Sequence, residues 1–324
     1  MALRSVSASD LERLLAGLSQ SARAPAEGIF GPGSIGWKVN RESALFLAAG
    51  RAALLQLAHP WVAAAIAEHS RTFSDPVSRF HQTFRVMFTM SFGSVEQALA
   101  AARRLHRLHE SIRGSLPETV GRFARGSPYR ANEADALLWV YATLLDSSLL
   151  AYELVLPRLS DAERECYYGE SRRASALYGI PPDLLPADWA GLSLYMESVL
   201  RSDVLGVSAS TRHAGHLLQD GAGLPLRPPF WYRALTLQLL PARLRQEFQF
   251  DYGAREWRAA DRALRWLRRI YPHLPAVLRL VGPYNEALAR LKGRARPSLA
   301  VRMTNRMWVG QATLLHPARR ESQG

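Results

Sequence analysis

One stretch of the chain reads LLQLAHPWVAAAIAEHS (residues 54–70), SDPVSRFHQTF (74–84) and SVEQALAAARRLHRLHESIRG (94–114). Its apolar residues recur at helical spacing, and signals for the beginning of a helix separate its segments. The Asp-Pro pair at 75–76 marks one such beginning, and Ser94 with Gln97 forms a capping box at another. The His-Pro pair at 59–60 predicts a corner between two helices, because proline disfavours helical geometry in the residue before it. The stretch therefore predicts a series of connected helices.

The rest of the chain shows the same helical character. Near-continuous apolarity over residues 133–155 predicts a central helix that is buried on several sides. The segment 41–58 is expected to form one helix, and the Gly/Pro-rich segment 25–36 a loop. Residues from about 295 onward are basic with scattered prolines, and we expect them to be partly extended. Since no alternating strand pattern or fixed-period repeat is present, the predicted fold is all-α.

Composition indicates a folded protein of ordinary size. The chain has 324 residues, of which 48% are hydrophobic, enough to bury a substantial core. Its one cysteine, Cys166, excludes an intramolecular disulfide and a metal site made only of cysteines. We find neither a signal-peptide pattern nor an uncharged apolar run of membrane-spanning length. A soluble, cytoplasmic protein is the expectation.

The formal net charge of +13 raises the question of nucleic-acid binding. Arginines are, however, spread along every segment, and the sequence has no zinc-finger spacing and no evident basic recognition helix. We therefore expect no specific nucleic-acid partner. Peripheral contact of the basic surface with a membrane stays open.

His109 is the sharpest anomaly in the pattern. Five of the nine histidines fall within residues 54–114, and His109 alone among them continues a series of core positions. That series is Val95, Ala98, Ala102, Leu105, His109 and Ile112. A buried imidazole needs a partner, so three roles are open for His109: a hydrogen-bonded core residue, an iron or zinc ligand, or a general base.

Arg79 and Thr83 lie four residues apart on the preceding predicted helix, so they share one of its faces. A cofactor carboxylate would neutralise a half-buried arginine, and a threonine hydroxyl would bind a propionate, a water or oxygen. Phe84 and nearby methionines are suited to wall a flat apolar ring, although ordinary core packing explains them equally well.

Other histidines offer a different metal site. His106 and His109 lie one turn apart, and His59 and His69 have Glu68 nearby. A non-haem metal site built from these imidazoles is therefore an alternative, although zinc usually needs three or four ligands.

Several motifs in a fixed order resemble the DUF2236 proteins, the MpaB-like oxygenases that share a catalytic domain with the latex-clearing rubber oxygenases. The resemblance covers roughly residues 30–220. It is carried by LAHPWVAAAIAEHS (57–70), DPVSRFHQT (75–83), RLHESIRG (107–114), YRANEADALLWVYATLLDSSLLAYE (129–153), LSDAERECYYGE (159–170) and LYGIP (177–181).

The resemblance implies a globin-like, all-helical core around a b-type haem. In the rubber oxygenases one proximal histidine holds the iron, and an Arg-x-x-x-Thr pair lies close to it. Arg79 and Thr83 match that pair. His109 is the best match for the iron ligand, and His106 is the reserve. Phe84 is expected at the haem as well.

Two departures from the family pattern bear on activity. Many relatives carry histidine where this chain has Tyr141, so Tyr141 would contact the cofactor as a hydrogen-bond donor or weaken the function. Rubber oxygenases can also use a lysine one residue before the threonine as a distal ligand, and this chain has Gln82 there.

The prediction is a haem b-dependent oxygenase that uses dioxygen on an apolar, alkene-containing or isoprenoid substrate, with Arg79 and Thr83 as catalytic residues. The alternatives are a non-catalytic helical protein that binds haem or a lipid-like ligand, and the non-haem metal enzyme. Three segments are expected: an N-terminal helix and loop (1–40), the haem-binding core (41–222) and a helical extension that packs on it (223–324).

Overall fold

The computed structural model describes residues 4–22, 24–70, 75–224, 226–294 and 297–314, and it confirms the all-α class. Before the central helix come α1 (Ala8–Ser21), α2 (Ile35–Asn40), α3 (Ala49–Leu57), α4 (Pro60–His69), α5 (Pro76–Phe92), α6 (Val95–Glu110) and a hairpin of β1 (Arg113–Ser115) and β2 (Pro128–Arg130). The central helix and those after it are α7 (Ala134–Val155), α8 (Asp161–Ala174), α9 (Trp189–Arg201), α10 (Ala209–Asp220), α11 (Phe230–Leu239) and α12 (Ala242–Glu247). The chain continues with α13 (Ala254–Ile270), α14 (Ala276–Arg279), α15 (Gly282–Leu291) and α16 (Leu299–Val309).

Helix beginnings follow the local signals in the sequence. The Asp75 carboxylate accepts a hydrogen bond from the Ser78 amide at 3.1 Å, which caps α5. Ser94 and Gln97 form the predicted capping box of α6, with each side chain accepting from the other residue's amide. His59 precedes Pro60 at the corner between α3 and α4, as predicted.

The segment predicted as one helix over 41–58 is interrupted by a buried carboxylate. Glu42 has an extended backbone, and its side chain accepts from the Tyr271 hydroxyl at 3.1 Å and pairs with Arg279 at 3.2 Å. The amide of Val281 also bonds to the carbonyl of Arg41. These contacts with a distant segment separate α2 from a 3₁₀ helix at Ser43–Ala48 and from α3. The prediction of a single helix over residues 41–58 was therefore wrong.

Three further expectations need correction. Part of the predicted loop 25–36 starts α2, whose first turn the Ser34 hydroxyl caps. Within the segment from about 295 onward, residues 299–309 form α16, whose last residue, Val309, is fully buried in a cluster with Phe84 and Phe88, and residues 315–324 lie outside the described part of the chain. The β1–β2 hairpin was missed because strands of three residues show no alternation.

Helix α7 is the buried centre of the fold, as its apolarity predicted. Four consecutive residues, Ala136 to Trp139, are buried, and consecutive helical residues point to different sides. Within the described residues α7 is the one helix long and apolar enough to cross a membrane, but two thirds of its most apolar window is covered by other parts of the chain. Its apolarity is thus accounted for by core packing.

The C-terminal helices hold α5 in place. Phe92 of α5 packs edge-on against Trp37 at 5.3 Å and against Tyr284 of α15 at 5.8 Å. The guanidinium of Arg85 donates to the carbonyl of Val309 at 3.0 Å. The division into segments at residues 40 and 222 stays a prediction.

Replacing Ser94 with alanine removes the cap of α6, the helix that carries His109. We expect the free energy of unfolding to fall by about 1 kcal/mol, because a capping hydroxyl contributes about that much. Urea denaturation followed by circular dichroism measures it.

Ser198→Ala is the matched control, since Ser198 is exposed within α9 and bonds only to a carbonyl of its own helix. Equal losses in the two variants would contradict the capping role.

Candidate functional site

Two cavities lie side by side along α5. The first has a volume of about 420 Å³ and lies between α4, α5, α6 and α7. It is lined by Gln56, Trp61, Val62, Ala65, Ile66, His69, Ser70, Asp75, Ser78, Arg79, Gln82, Leu108, His109, Ile112, Arg130, Ala131, Ala136, Leu137 and Val140. Both polar groups and apolar side chains therefore line this cavity.

The second cavity, of about 370 Å³, is almost entirely apolar and lies between α3, α5, α7 and α10. Its walls include Leu45, Ala49, Ala52, Phe80, Thr83, Phe84, Met87, Leu144, Leu217, Leu218 and Tyr232. Gln56 and Arg79 line both cavities, so these two side chains mark the boundary between them.

Arg79 is half-buried at this boundary, and its guanidinium has neither a hydrogen bond nor an ion pair with any described residue. Burial lowers the pKa of the group from its ordinary value, which reflects the cost of removing a cation from water. Arginine nevertheless stays protonated in proteins. An unpaired, partly desolvated guanidinium beside a cavity is suited to bind an anionic group.

His109 lines the first cavity and is only half-buried. Burial, followed by the positive charge of Arg79 and the electrostatic interaction with His106, lowers its pKa to about 4, and a hydrogen bond with Asn132 acts in the opposite direction. The imidazole is consequently neutral at physiological pH. A neutral imidazole has a free electron pair on one ring nitrogen, which is the form that binds metals.

The predicted core series of α6 is buried at Val95, Ala98 and Ala102, but farther along the helix a different histidine is enclosed. His106, not His109, is the buried histidine, and its Nε2 lies 3.0 Å from the carbonyl oxygen of Val6. His106 lines neither cavity. The prediction that His109 is an enclosed core residue was therefore wrong, because its half-buried ring lines the first cavity.

Thr83 and Phe84 line the second cavity and not the first. The Thr83 hydroxyl donates to the carbonyl of Arg79 at 2.9 Å, so its remaining capacity is that of an acceptor. Phe84 packs against Phe46 and Phe80, each at 4.6 Å between ring centres. Arg79 therefore shares a cavity with His109 on one side and with Thr83 on the other.

Tyr141 lies away from His109. It is buried, and its hydroxyl donates to the carbonyl of Ser171 at 2.7 Å. Its ring lines a small cavity of about 50 Å³, whose walls share Met87 and Leu144 with the second cavity. A direct contact between Tyr141 and a ligand beside His109 is not supported by this placement.

The alternative metal site does not assemble. The ring of His59 is buried against Trp61 and Phe123, and His69 lies 3.6 Å from Glu68. Across the described ranges no three side chains of His, Cys, Asp or Glu come together in a way that could hold a metal ion.

Two residues at the site escaped prediction. Gln56, at the boundary of the cavities, donates to the Thr143 hydroxyl at 3.2 Å. Trp61 lines the first cavity, and its buried indole nitrogen has no hydrogen-bond partner among the described residues. The signal for Gln56 was one polar residue within the apolar run AALLQLA. Tryptophan beside proline carried no such signal.

Comparison with known families places the site inside a matched region. The profile described as ER-bound oxygenase mpaB/B'/Rubber oxygenase, catalytic domain, matches residues 37–269. Every residue that lines the first or the second cavity falls within that range. No curated protein and no solved structure gave a significant match.

Acidification should destabilise the protein through His59. Burial and the nearby charge of Arg122 lower the pKa of this histidine to about 4. Between pH 6.5 and 4 a proton binds to His59 in the unfolded chain but not in the folded protein. The free energy of unfolding therefore decreases as the pH is lowered. Through His59 alone, the loss of unfolding free energy reaches about 3 kcal/mol near pH 4. Denaturation curves from pH 8 to 4 measure it.

The variant His59→Phe retains an aromatic ring without the titrating group. Comparison at pH 8 isolates the effect of the substitution itself. An unchanged dependence of stability on pH in the variant would show that His59 does not cause the acid sensitivity.

Proposed function

Because this chain belongs to the family of the mpaB and rubber oxygenase catalytic domains, we propose that it is a haem b-dependent oxygenase. Its substrates would be dioxygen and a small apolar molecule of the alkene or isoprenoid class. One observation carries the proposal: the neutral imidazole of His109 and the guanidinium of Arg79, which has no partner among the described residues, face the same cavity.

The residues of the first cavity fit a haem. A haem is a flat apolar ring that carries carboxylates, so it needs apolar walls, a cation and an axial ligand. Ile66, Leu108, Ile112 and Val140 provide apolar walls. Two cations, Arg79 and Arg130, line the same space. The volume also lies within the range typical of ligand pockets, about 300–1,000 Å³.

His109 would supply the axial ligand. Because its pKa is low, the imidazole needs no deprotonation before it binds a metal at neutral pH. The bound haem would supply the iron that activates dioxygen. Arg79 would neutralise a haem carboxylate, and that pairing would offset the cost of its own burial.

The second cavity is suited to the substrate. Phe80, Phe84 and Met87 make it apolar, and Arg79 and Gln56 are the polar groups it shares with the first cavity. An apolar molecule held there would lie beside the proposed cofactor. Thr83 would orient a ligand as a hydrogen-bond acceptor, because its proton is already given to the Arg79 carbonyl.

Reconstitution with haem tests the proposed ligand. The wild-type protein should show a Soret band with stoichiometric haem, and His109→Ala should lose the spectrum of histidine-ligated iron. Added imidazole should restore that spectrum, because it supplies the missing ligand to a cavity that is otherwise intact.

The control is His69→Ala, which removes another imidazole from the same cavity. Equal spectra for wild type and His109→Ala would rule out His109 as the ligand. A colourless wild type after reconstitution would contradict haem dependence.

Arg79→Met should weaken haem binding at least tenfold, because a hydrogen bond to a charged group contributes about 1.5–3 kcal/mol. Titration of the apoprotein with haem gives the affinity. Gln82→Met is the control on the same helix and cavity. Equal affinities for Arg79→Met and Gln82→Met would contradict the pairing.

Oxygen consumption with a panel of apolar alkenes separates the oxygenase from a non-catalytic carrier. Substrate-dependent uptake supports the proposal. Haem binding without uptake for any member of the panel would favour the carrier.

A further inference from the structure

The outer face of α13 combines exposed apolar side chains with arginines. Trp266 is 64% exposed and Ile270 is 41% exposed. Three exposed arginines, Arg262, Arg265 and Arg269, lie beside them on the same helix. Large exposed apolar groups cost free energy in water, so a cluster of them on a stable helix points to a partner.

Helical spacing places these residues together. Positions 262, 265, 266, 269 and 270 follow the i, i+3, i+4 pattern and share one side of α13. The opposite side carries Ala260 and Leu264, which are buried in a cluster with Leu235 of α11. The arrangement is that of a helix whose inner face packs on the protein while its outer face is both cationic and apolar.

The charges on this outer face are incompletely neutralised. Arg265 pairs with Asp261, whereas Arg262 and Arg269 have no ion pair or side-chain hydrogen bond with any described residue. The other acid of α13, Glu256, bonds to the Gly253 amide at the beginning of the helix. Two guanidinium groups are therefore available for external anions.

We infer that the outer face of α13, formed by Arg262, Arg265, Trp266, Arg269 and Ile270, binds an anionic lipid bilayer surface. Arginine pairs with lipid phosphates, and tryptophan prefers the boundary between headgroups and hydrocarbon. Ile270 would enter the hydrocarbon below. The helix would lie in the plane of the membrane.

A bilayer fits this face better than a nucleic acid. A nucleic acid offers phosphates but no hydrocarbon layer for Ile270, whereas a bilayer offers both at one surface. The apolar character continues along the chain, since Val277 and Leu278 of α14 are 48% and 60% exposed. The inference does not depend on haem or on the oxygenase reaction.

Flotation with vesicles tests it on the full chain. The protein should float with vesicles that contain phosphatidylglycerol and should not float with phosphatidylcholine alone. Each arginine near an anionic surface contributes about fivefold to partitioning. Arg262→Gln with Arg269→Gln should therefore weaken binding about 25-fold, and Trp266→Ser with Ile270→Ser should abolish flotation.

Two controls match these changes elsewhere on the surface. Arg104→Gln with Arg107→Gln removes two exposed charges from α6, and Leu194→Ser removes a side chain that is 66% exposed on α9. Both should float as wild type does. Equal loss in the control and α13 variants would overturn the inference, because it would show attraction by net charge alone.

Fluorescence gives a second readout. Brominated lipids should quench part of the tryptophan emission of the wild-type protein. The Trp266→Phe variant should lack this quenchable emission but should still float with the vesicles. Absence of flotation in wild type, or displacement from vesicles by duplex DNA at equal phosphate, would also overturn the inference. Circular dichroism of each variant verifies that it is folded.

Discussion

The burial of α7 on all sides is the constraint on which the rest of the structure depends. Contact with water raises the free energy of an apolar helix of 22 residues, so other helices must cover its faces. In the described part of the chain, three of the cavities lie against α7, where the covering side chains do not fill the space. The candidate site is therefore a property of how α4, α5 and α6 cover one helix.

Polar groups beside such a helix are partly removed from water, and this desolvation determines their protonation state and their need for a partner. Burial lowers the pKa of both the Arg79 guanidinium and the His109 imidazole. The histidine responds by losing its proton, whereas the arginine keeps its charge and has no described partner. A neutral donor of an electron pair and an uncompensated cation in one cavity are together suited to a metal-containing cofactor with carboxylates. The proposed haem site rests on that combination, whereas the match to the oxygenase family is a separate finding.

The division into two cavities separates residues that lie next to each other in sequence. Successive residues of a helix point to different sides, so Gln82 faces the first cavity while Thr83 and Phe84 face the second. Arg79 reaches both. A cofactor and an apolar substrate would thus be held by one helix, and Arg79 would contact whatever lies on either side of it.

The sequence by itself proposed Arg79 and His109 as site residues, and it determined the helical class and the beginnings of α5 and α6. Those features depend on capping groups, proline positions and apolar periodicity, which act over a few residues. Only the tertiary structure decided which histidine of α6 is buried, because His106 bonds to a carbonyl 100 residues away. It likewise decided the break at Glu42, where contacts with Tyr271 and Arg279 outweigh local helical preference. The cavities, the boundary between them and the exposed helix faces arise from the packing of distant segments. Such packing cannot be read from a local sequence pattern.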